Sequence, residues 1–261
     1  MLEAIFNNEW KLVFVVGLLS LGSAEAGFWA GRKLHLTKDE ARRSQIGGVQ
    51  AATFGLLGLL LGFTFSMAVG RYEARRSLVL KEANAIGTTW LRAELLSDAH
   101  RAAVEELLRR YVHVRLEYQA LVRDPAKATE GLLLSSEIEN QLWWHAKDAA
   151  KEAPTPLTVS FITALNEMID TDAERVAAAR NQIPTGVWML LALVAGFGSF
   201  TSGYGSGACG TRSAFTSFLL PGMIIVVIML IFDLSHSQQG IIGISQQPLI
   251  DLQQSMQTGA P

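Results

Sequence analysis

Charged residues are scarce in this chain, and long stretches contain none. They make up 18% of the 261 residues, against about 25% in ordinary soluble domains. Apolar residues reach 49%, and the mean hydropathy is positive at +0.25. A soluble enzyme of this size is therefore not expected, and a membrane protein is.

Cysteine and an excess of basic residues are also lacking. Cys209 is the single cysteine, which excludes an intrachain disulfide and a cysteine-based zinc site. The 22 basic residues do not outnumber the 24 acidic ones, so we expect no nucleic-acid partner. The chain has no nucleophile elbow, phosphate-binding glycine loop or paired-carboxylate site, and its histidines show neither HExxH nor paired spacing. We expect no enzymatic activity, no cofactor and no metal site, and we expect each histidine to be a surface or structural residue.

Four stretches with almost no charge match the length of a transmembrane helix. Crossing about 30 Å of hydrocarbon takes about 20 apolar residues, and the four stretches are residues 12–31, 47–70, 186–207 and 214–232. They predict an all-α polytopic membrane protein with four transmembrane helices, the fourth bent at Pro221. The first stretch is expected to stay in the mature protein, because it is too long for a signal peptide and has an acidic flank.

Residues 71–185 carry most of the charge and little glycine or proline, which predicts a helical region outside the membrane. Helices are expected over about 71–96, from Ser97-Asp98 onward, over 129–152 and over 155–181. A seam packed against a partner helix is expected at Val104, Leu107, Tyr111, Val114, Tyr118 and Leu121. The inward residues of the last helix are expected to be Leu157, Phe161, Leu165, Met168, Ile169 and Val176. Solvated faces are expected to hold Glu73, Glu82, Glu94, Glu105 and Glu106.

The predicted organisation has four parts. Residues 1–70 hold transmembrane helices 1 and 2, residues 71–185 the helical region, residues 186–233 transmembrane helices 3 and 4, and residues 234–261 a C-terminal tail. We expect a multi-pass protein of the plasma (inner) membrane, in contact with the lipid bilayer. Basic residues are nearly balanced between the two sides, and the short linkers favour an extracytoplasmic position for residues 71–185.

Several residues inside the predicted spans are candidates for function or packing. Glu25 is an ionisable residue past the middle of the first span, and it lies either on an ion or proton path or near the interface beside Arg32 and Lys33. Small residues recur every four positions in the second span, which favours close helix packing, at Gly58, Gly62, Ser66 and Gly70. Near the end of the third span, Gly203-Tyr204-Gly205 is similar to a potassium-channel filter but lacks Thr-Val before it. A tight turn is the simpler expectation for Gly203, Gly205, Gly207 and Gly210.

Four segments carry a family resemblance that samples nearly the whole chain. They are GFTFSMAVGRYEARRSLVLKEANAIGTTWLRAELL from Gly62, LLRRYVHVRLEY from Leu107, ALNEMID from Ala164 and GIIGISQQPLIDL from Gly240. In order and spacing they resemble the bestrophin-like family, formerly a membrane family of unknown function.

The second span also resembles, more distantly, that of bestrophin anion channels. The matching positions are Gly62, Phe63, Ser66, Arg71 and Tyr72. The resemblance implies a homo-oligomer, a pentamer if bestrophin-like, with Leu59 and Phe63 in the pore neck and Gly55 at its third position. A glycine there has no side chain to narrow the pore, so the neck is incomplete. The acidic cluster that binds calcium in animal bestrophins has no counterpart in this chain. Bestrophins also keep the region between spans two and three in the cytosol, contrary to the extracytoplasmic position that the short linkers favour.

These observations support two hypotheses of different classes. The first is an oligomeric ion channel that passes small ions, with anions expected, through a pore lined by Gly55, Leu59, Phe63 and Ser66, with Arg71 as the flanking charge. The alternative is a non-conducting membrane scaffold or sensor that binds a partner protein through the helical region. A hydrolase or transferase at the membrane surface is the least favoured, because no catalytic pair is evident.

Overall fold

The computed structural model describes residues 9–34, 40–121, 125–210, 214–235 and 242–258. Over these ranges the chain is almost entirely helical and has no strand, which confirms the all-α prediction. The described helices are α1 (Glu9–Leu34), α2 (Glu40–Ala93), α3 (Asp98–Leu121), α4 (Pro125–Glu152), α5 (Pro156–Arg180), α6 (Thr185–Cys209), α7 (Ala214–Ser235) and α8 (Gln247–Thr258).

Three helical stretches are long and apolar enough to cross a membrane. They are Phe14–Lys33, Ser44–Ala93 and Pro156–Cys209, and they overlap the first three predicted spans. The third stretch combines α5 and α6. The fourth predicted span falls in α7, where the apolar helix that can be assessed is shorter, Pro221–Ser235. Pro221 lies inside α7, and the bend expected there stays a prediction.

The second span and the first helix of the charged region form one helix. α2 runs without interruption from Glu40 to Ala93, as the sequence predicted for the continuation beyond residue 70. A short turn follows, and α3 begins at Asp98 after Ser97, whose carbonyl accepts the His100 N–H at 3.0 Å. An acidic residue in the first turn favours a helix start, because it faces the positive end of the helix dipole.

The described residues form two compact units. One takes its residues from Met1–Gly70 and Gln182–His236, and the other from Arg71–Asn181 and Ser237–Pro261. The predicted four-part division of the chain stays a prediction. In the first unit, α1 packs along α6 and contacts α7.

Glycine lets α1 and α6 approach until their backbones touch. A Cβ at Gly27 would overlap the carbonyl oxygen of Phe200, and one at Gly203 would overlap that of Ala24. Gly31 and Gly207, one helical turn further, are equally closed to a side chain. Pairs of small residues four apart on each helix allow this approach.

The tight turn predicted for the glycines at the end of the third span is therefore mostly wrong. Gly203, Gly205 and Gly207 lie inside α6, where two of them carry the contact with α1. Gly210 alone of the four ends the helix, with a φ of 69°. Glycine adopts this left-handed conformation without the steric cost that a Cβ brings.

The core of the second unit is built from α2, α3, α4, α5 and α8. The predicted seam is largely confirmed: Val104, Tyr111 and Val114 are buried and Leu107 is partly buried. The side chains of Tyr118 and Leu121 lie outside the described residues. The burial of these seam residues shows that α3 packs against helices of its own chain.

On α5 the predicted inward face is confirmed except at its start. Phe161, Leu165 and Met168 are buried, while Leu157 is 53% exposed, which corrects its assignment. The helix begins where Thr155 Oγ1 accepts the Thr158 N–H at 3.3 Å. Leu157 lies at the surface together with residues 153–156, where the chain passes from α4 into α5.

The C-terminal segment contributes a helix to this unit. α8 buries Leu249 and Met256 in the core. On its exposed side, Gln247 Nε2 donates to Asp251 Oδ1 at 2.7 Å. The predicted tail therefore contains an amphipathic helix that adds to the core of the second unit.

Candidate functional site: the open face of helix α2

The apolar half of α2 buries one narrow stripe against its own unit. The buried residues are Thr53, Leu57, Thr64 and Ala68. Both threonines satisfy their hydroxyls within the helix: Thr53 Oγ1 donates to the Val49 carbonyl at 2.8 Å and Thr64 Oγ1 to the Leu60 carbonyl at 2.7 Å. Such bonds remove the cost of an unpaired hydroxyl away from water.

The predicted pore residues lie on the side opposite to this stripe. A helix turns about 100° per residue, which places Gly55, Leu59, Phe63 and Ser66 on one face roughly half a turn from it. All four are exposed, Leu59 by 55% and Phe63 by 65%. The structure thus brings these residues together on an apolar face that the described part of the chain leaves uncovered.

The small residues of α2 share this open side. A Cβ added at Gly58, Gly62 or Gly70 would meet no atom within 4 Å beyond the neighbouring backbone of α2. Their predicted role in helix packing therefore needs a helix of another molecule, and it stays a prediction. The glycines that bring two helix backbones into contact are those of α1 and α6.

The two predicted ionisable site residues lie on different helices. Glu25 lies on an exposed part of α1, and both of its predicted roles stay open. Arg71 follows the apolar half of α2, where its Nη1 donates to the Asn181 carbonyl at 3.4 Å. Asn181 caps the end of α5, so the Arg71 guanidinium is held near a helix terminus.

A buried ion cluster in the second unit escaped the sequence analysis. Glu82, predicted on a solvated face, is fully buried between two guanidinium groups, and that prediction is wrong. Glu82 Oε1 lies 2.7 Å from Arg115 Nε, and Glu82 Oε2 accepts a hydrogen bond from Arg175 Nη1. Arg115 Nη1 lies 2.6 Å from Asp172 Oδ1, and Arg175 Nη2 donates to Gln246 Oε1 at 2.8 Å. The cluster links α2, α3, α5 and the segment before α8.

The sequence does contain a signal for this cluster. Glu82 is flanked at helical spacing by the buried Val79 and Ile86, and Arg115 follows the buried Leu108 and Tyr111. A charged residue inside an apolar stripe faces the core, where it needs an opposite charge. The identity of the partner, however, depends on helix pairings between distant segments.

Next to the ion cluster, α4 contributes an acid to a second buried contact. Tyr111 Oη donates to Glu139 Oε1 at 3.0 Å. Burial, and then the nearby charge of Asp172, raises the pKa of Glu139 from 4.5 to about 7. Burial also raises the pKa of Tyr111 well above 10.0. Glu139 is therefore a group that titrates near neutral pH.

Two of the histidines, which show no paired spacing in the sequence, lie together. His100 Nδ1, at the start of α3, is 3.1 Å from His145 Nδ1 on α4. His100 Nε2 lies 3.3 Å from Glu152 Oε2 and 3.9 Å from Asp148 Oδ2. Burial, and then the charge of His100, lowers the pKa of His145. Sequence spacing could not show this pair, since 45 residues separate its members.

The apolar helices and the charged helical unit together indicate an α-helical membrane protein. The chain belongs to the Bestrophin-like family, whose domain model matches residues 18–249, nearly the whole chain. This match confirms the resemblance drawn from the four sequence segments. No curated protein and no solved structure matches the chain.

Proposed function

We propose that this chain is one subunit of a homo-oligomeric membrane channel for small ions, and that the open face of α2 lines its pore. The proposal rests above all on that face, where Leu59 and Phe63 are exposed one helical turn apart on a membrane-length helix. Exposed apolar residues on such a helix face lipid, a partner or a pore. Membership of the Bestrophin-like family favours the pore.

An apolar ring of Phe63 and Leu59 side chains would form the constriction. Constrictions of this kind gate by dewetting, because water leaves a narrow apolar pore. The open glycines at 58, 62 and 70 would let α2 of a neighbouring subunit approach closely beside this ring. Gly55 adds no side chain, so the constriction has two levels instead of three.

Anions are the proposed cargo, because Arg71 lies directly after the apolar half of α2. A cation at a pore mouth raises the local anion concentration. α7, 22 residues long, would provide a fourth span in the plasma (inner) membrane. The protein would need no cofactor and would catalyse no reaction.

Ion flux from liposomes tests this proposal. Tag-free protein is reconstituted, and chloride efflux is followed with a halide-sensitive dye, together with the subunit number and symmetry of the detergent-solubilised oligomer. We expect the subunits to form a closed ring in which α2 of each subunit surrounds the central axis. The Phe63→Ala variant is expected to raise the flux several-fold, roughly the effect of widening an apolar neck.

Phe65→Ala is the matched control for this test. Phe65 lies on the same helix and is 38% exposed, but it points about 120° away from the predicted pore row. Its substitution is expected to leave the flux unchanged. A well-folded oligomer that conducts neither as the wild type nor as Phe63→Ala would contradict the proposal.

The scaffold hypothesis has less support. It requires the seam of α3 to be available to a partner protein, whereas Val104 and Tyr111 are fully buried. A stoichiometric partner that co-purifies with a closed, non-conducting protein would favour the scaffold.

A further inference from the structure

Three potential metal ligands meet where α3 begins and α4 ends. His100 is in the first turn of α3, and Asp148 and Glu152 lie four residues apart on α4. One donor atom from each residue falls within 4.8 Å of the other two. His145, three residues before Asp148, lies beside them and contacts His100. The two helices thus bring an imidazole nitrogen and two carboxylates to one point.

The imidazole is the buried member of this group. His100 is 5% exposed, and its Nε2 is buried without a hydrogen-bond partner among the described residues. That nitrogen nevertheless lies 3.3 Å from the nearest oxygen of Glu152 and 3.9 Å from that of Asp148. A buried ring nitrogen directed at two carboxylates is satisfied either by its own N–H or by a cation bound between them.

The contact between the two histidines links these alternatives to the tautomer of His100. Their Nδ1 atoms are 3.1 Å apart, a distance at which one ring donates and the other accepts. When His100 Nδ1 is the donor in a neutral ring, its Nε2 carries a lone pair facing the carboxylates. A lone pair and two carboxylate oxygens repel one another, whereas a bound cation would attract all three.

We propose that His100 Nε2, Asp148 and Glu152 bind a divalent transition-metal ion of the Zn²⁺ type. His145 would be a positioning residue, which accepts the Nδ1–H of His100 and so fixes its tautomer. Metal-ligating histidines almost always donate their second ring N–H to such an acceptor. The site is distinct from the open face of α2 and does not depend on the proposed channel function.

The geometry suits such an ion. Tetrahedral bonds of about 2.0–2.1 Å separate neighbouring ligand atoms by roughly 3.3–3.4 Å. The nitrogen-to-oxygen distances of 3.3 and 3.9 Å are close to this separation, and all three donor atoms lie within 4.8 Å of one another, so side-chain rotations would bring them to one ion. Mixed nitrogen and oxygen ligands favour Zn²⁺ over Ca²⁺ or Mg²⁺, which take oxygen ligands.

The two carboxylates also give the ion access. The Asp148 and Glu152 side chains are 39% and 57% exposed, so an ion reaches the buried imidazole from solvent, and water fills the fourth position. A bound ion would fasten the start of α3 to the end of α4. Metal binding would then stabilise the helical unit, since an ion that binds only the folded state raises its stability.

Zinc titration of the full-length, tag-free protein in detergent tests the site. After dialysis against a chelator, Zn²⁺ binding is measured by calorimetry and the melting temperature by tryptophan fluorescence. We expect one saturable equivalent per chain and a melting temperature that rises with free Zn²⁺. The Asp148→Asn/Glu152→Gln double variant is expected to lower the affinity at least about 100-fold, beyond the range for outer-shell changes. Glu152→Gln alone, at the more exposed ligand, serves if the double variant does not fold.

An exposed histidine–glutamate pair on α3 provides the control. His113 Nδ1 lies 3.5 Å from Glu117 Oε2, with both side chains more than 60% exposed. His113→Gln is expected to leave Zn²⁺ binding unchanged. His145→Leu is expected to weaken it by roughly 10–100-fold, and His145→Gln, which keeps an acceptor, to restore most of it. The absence of a saturable equivalent, or binding that survives the carboxylate substitutions, would overturn the proposal and leave His100 Nε2 as a hydrogen-bond donor to the carboxylates.

Discussion

Glu82 is the acid that two buried guanidinium groups share in the helical unit. Its carboxylate contacts Arg115 and Arg175, and all three side chains are at least nine-tenths buried. Each buried ion loses its hydration, so the cluster is stable only as long as the charges match. One missing partner leaves an uncompensated charge in the core.

The Glu82→Gln substitution should therefore be strongly destabilising. We expect it to lower the free energy of unfolding by about 3–5 kcal/mol, the usual cost of breaking a buried pair from one side. Denaturant unfolding in detergent, followed by tryptophan fluorescence, measures this. Glu174→Gln is the matched control, because Glu174 pairs with Lys81 at 2.8 Å on the surface and should cost less than about 1 kcal/mol. An equal loss of unfolding free energy in the two variants would show that the buried cluster stabilises the protein no more than the surface pair does.

Glu139 should make the stability of the same unit depend on pH. The pKa of Glu139 is about 7 in the folded protein against an ordinary value of 4.5, so between these values the folded state keeps a proton that the unfolded state has released. Stability is therefore highest at the acid end of this window and falls as the pH rises through about 7. Tyr111, Asp172 and Arg115 are the ionisable neighbours that set this pKa.

The Glu139→Gln variant should flatten that dependence. We expect its melting temperature to vary less than that of the wild type across the window from about pH 4.5 to about 7. Glu137→Gln, at an exposed position two residues earlier, should keep the wild-type slope. A Glu139→Gln profile parallel to that of the wild type would show that another group governs the pH dependence.

Within the pair of helices α1 and α6, closely packed glycines form the contact. The Gly27→Ala substitution should force the backbones apart, because the new methyl group overlaps the Phe200 carbonyl. We expect a destabilisation of about 1–3 kcal/mol, typical of overpacking. The melting temperature in detergent measures it. Gly22→Ala on the same helix meets no atom within 4 Å and should be nearly neutral or mildly stabilising. A loss of stability in Gly22→Ala as large as that in Gly27→Ala would contradict the role of the glycine contact.

The sequence predicted the helices better than their pairings. Charge gaps located the apolar helices, and the helix expected over 155–181 is close to α5, because charge and apolar periodicity are local signals. Gly203 and Gly207 were misassigned to a turn, since glycine suits both a turn and a close helix contact. Their partners, Gly27 and Gly31, lie in a distant part of the chain, and periodicity does not identify such pairs.

At the scale of the whole molecule, family and helical class could be predicted, while the chemistry of the core could not. The four sequence segments identified the Bestrophin-like family, and the spacing of Gly55, Leu59 and Phe63 predicted that they share one face. The cluster around Glu82 and the group around His100 each combine helices that are far apart in the sequence. Their charges are individually ordinary, and only the tertiary fold makes them partners.

The contact between α1 and α6 also sets an order of events during biosynthesis. Gly27 is translated about 175 residues before Gly203, so at roughly 5–20 residues per second the first helix waits about 9–35 s for its partner. Throughout this interval its glycine surface meets acyl chains or a temporary companion such as an insertion factor. The contact between the glycine surfaces therefore forms only after the third apolar helix has been synthesised.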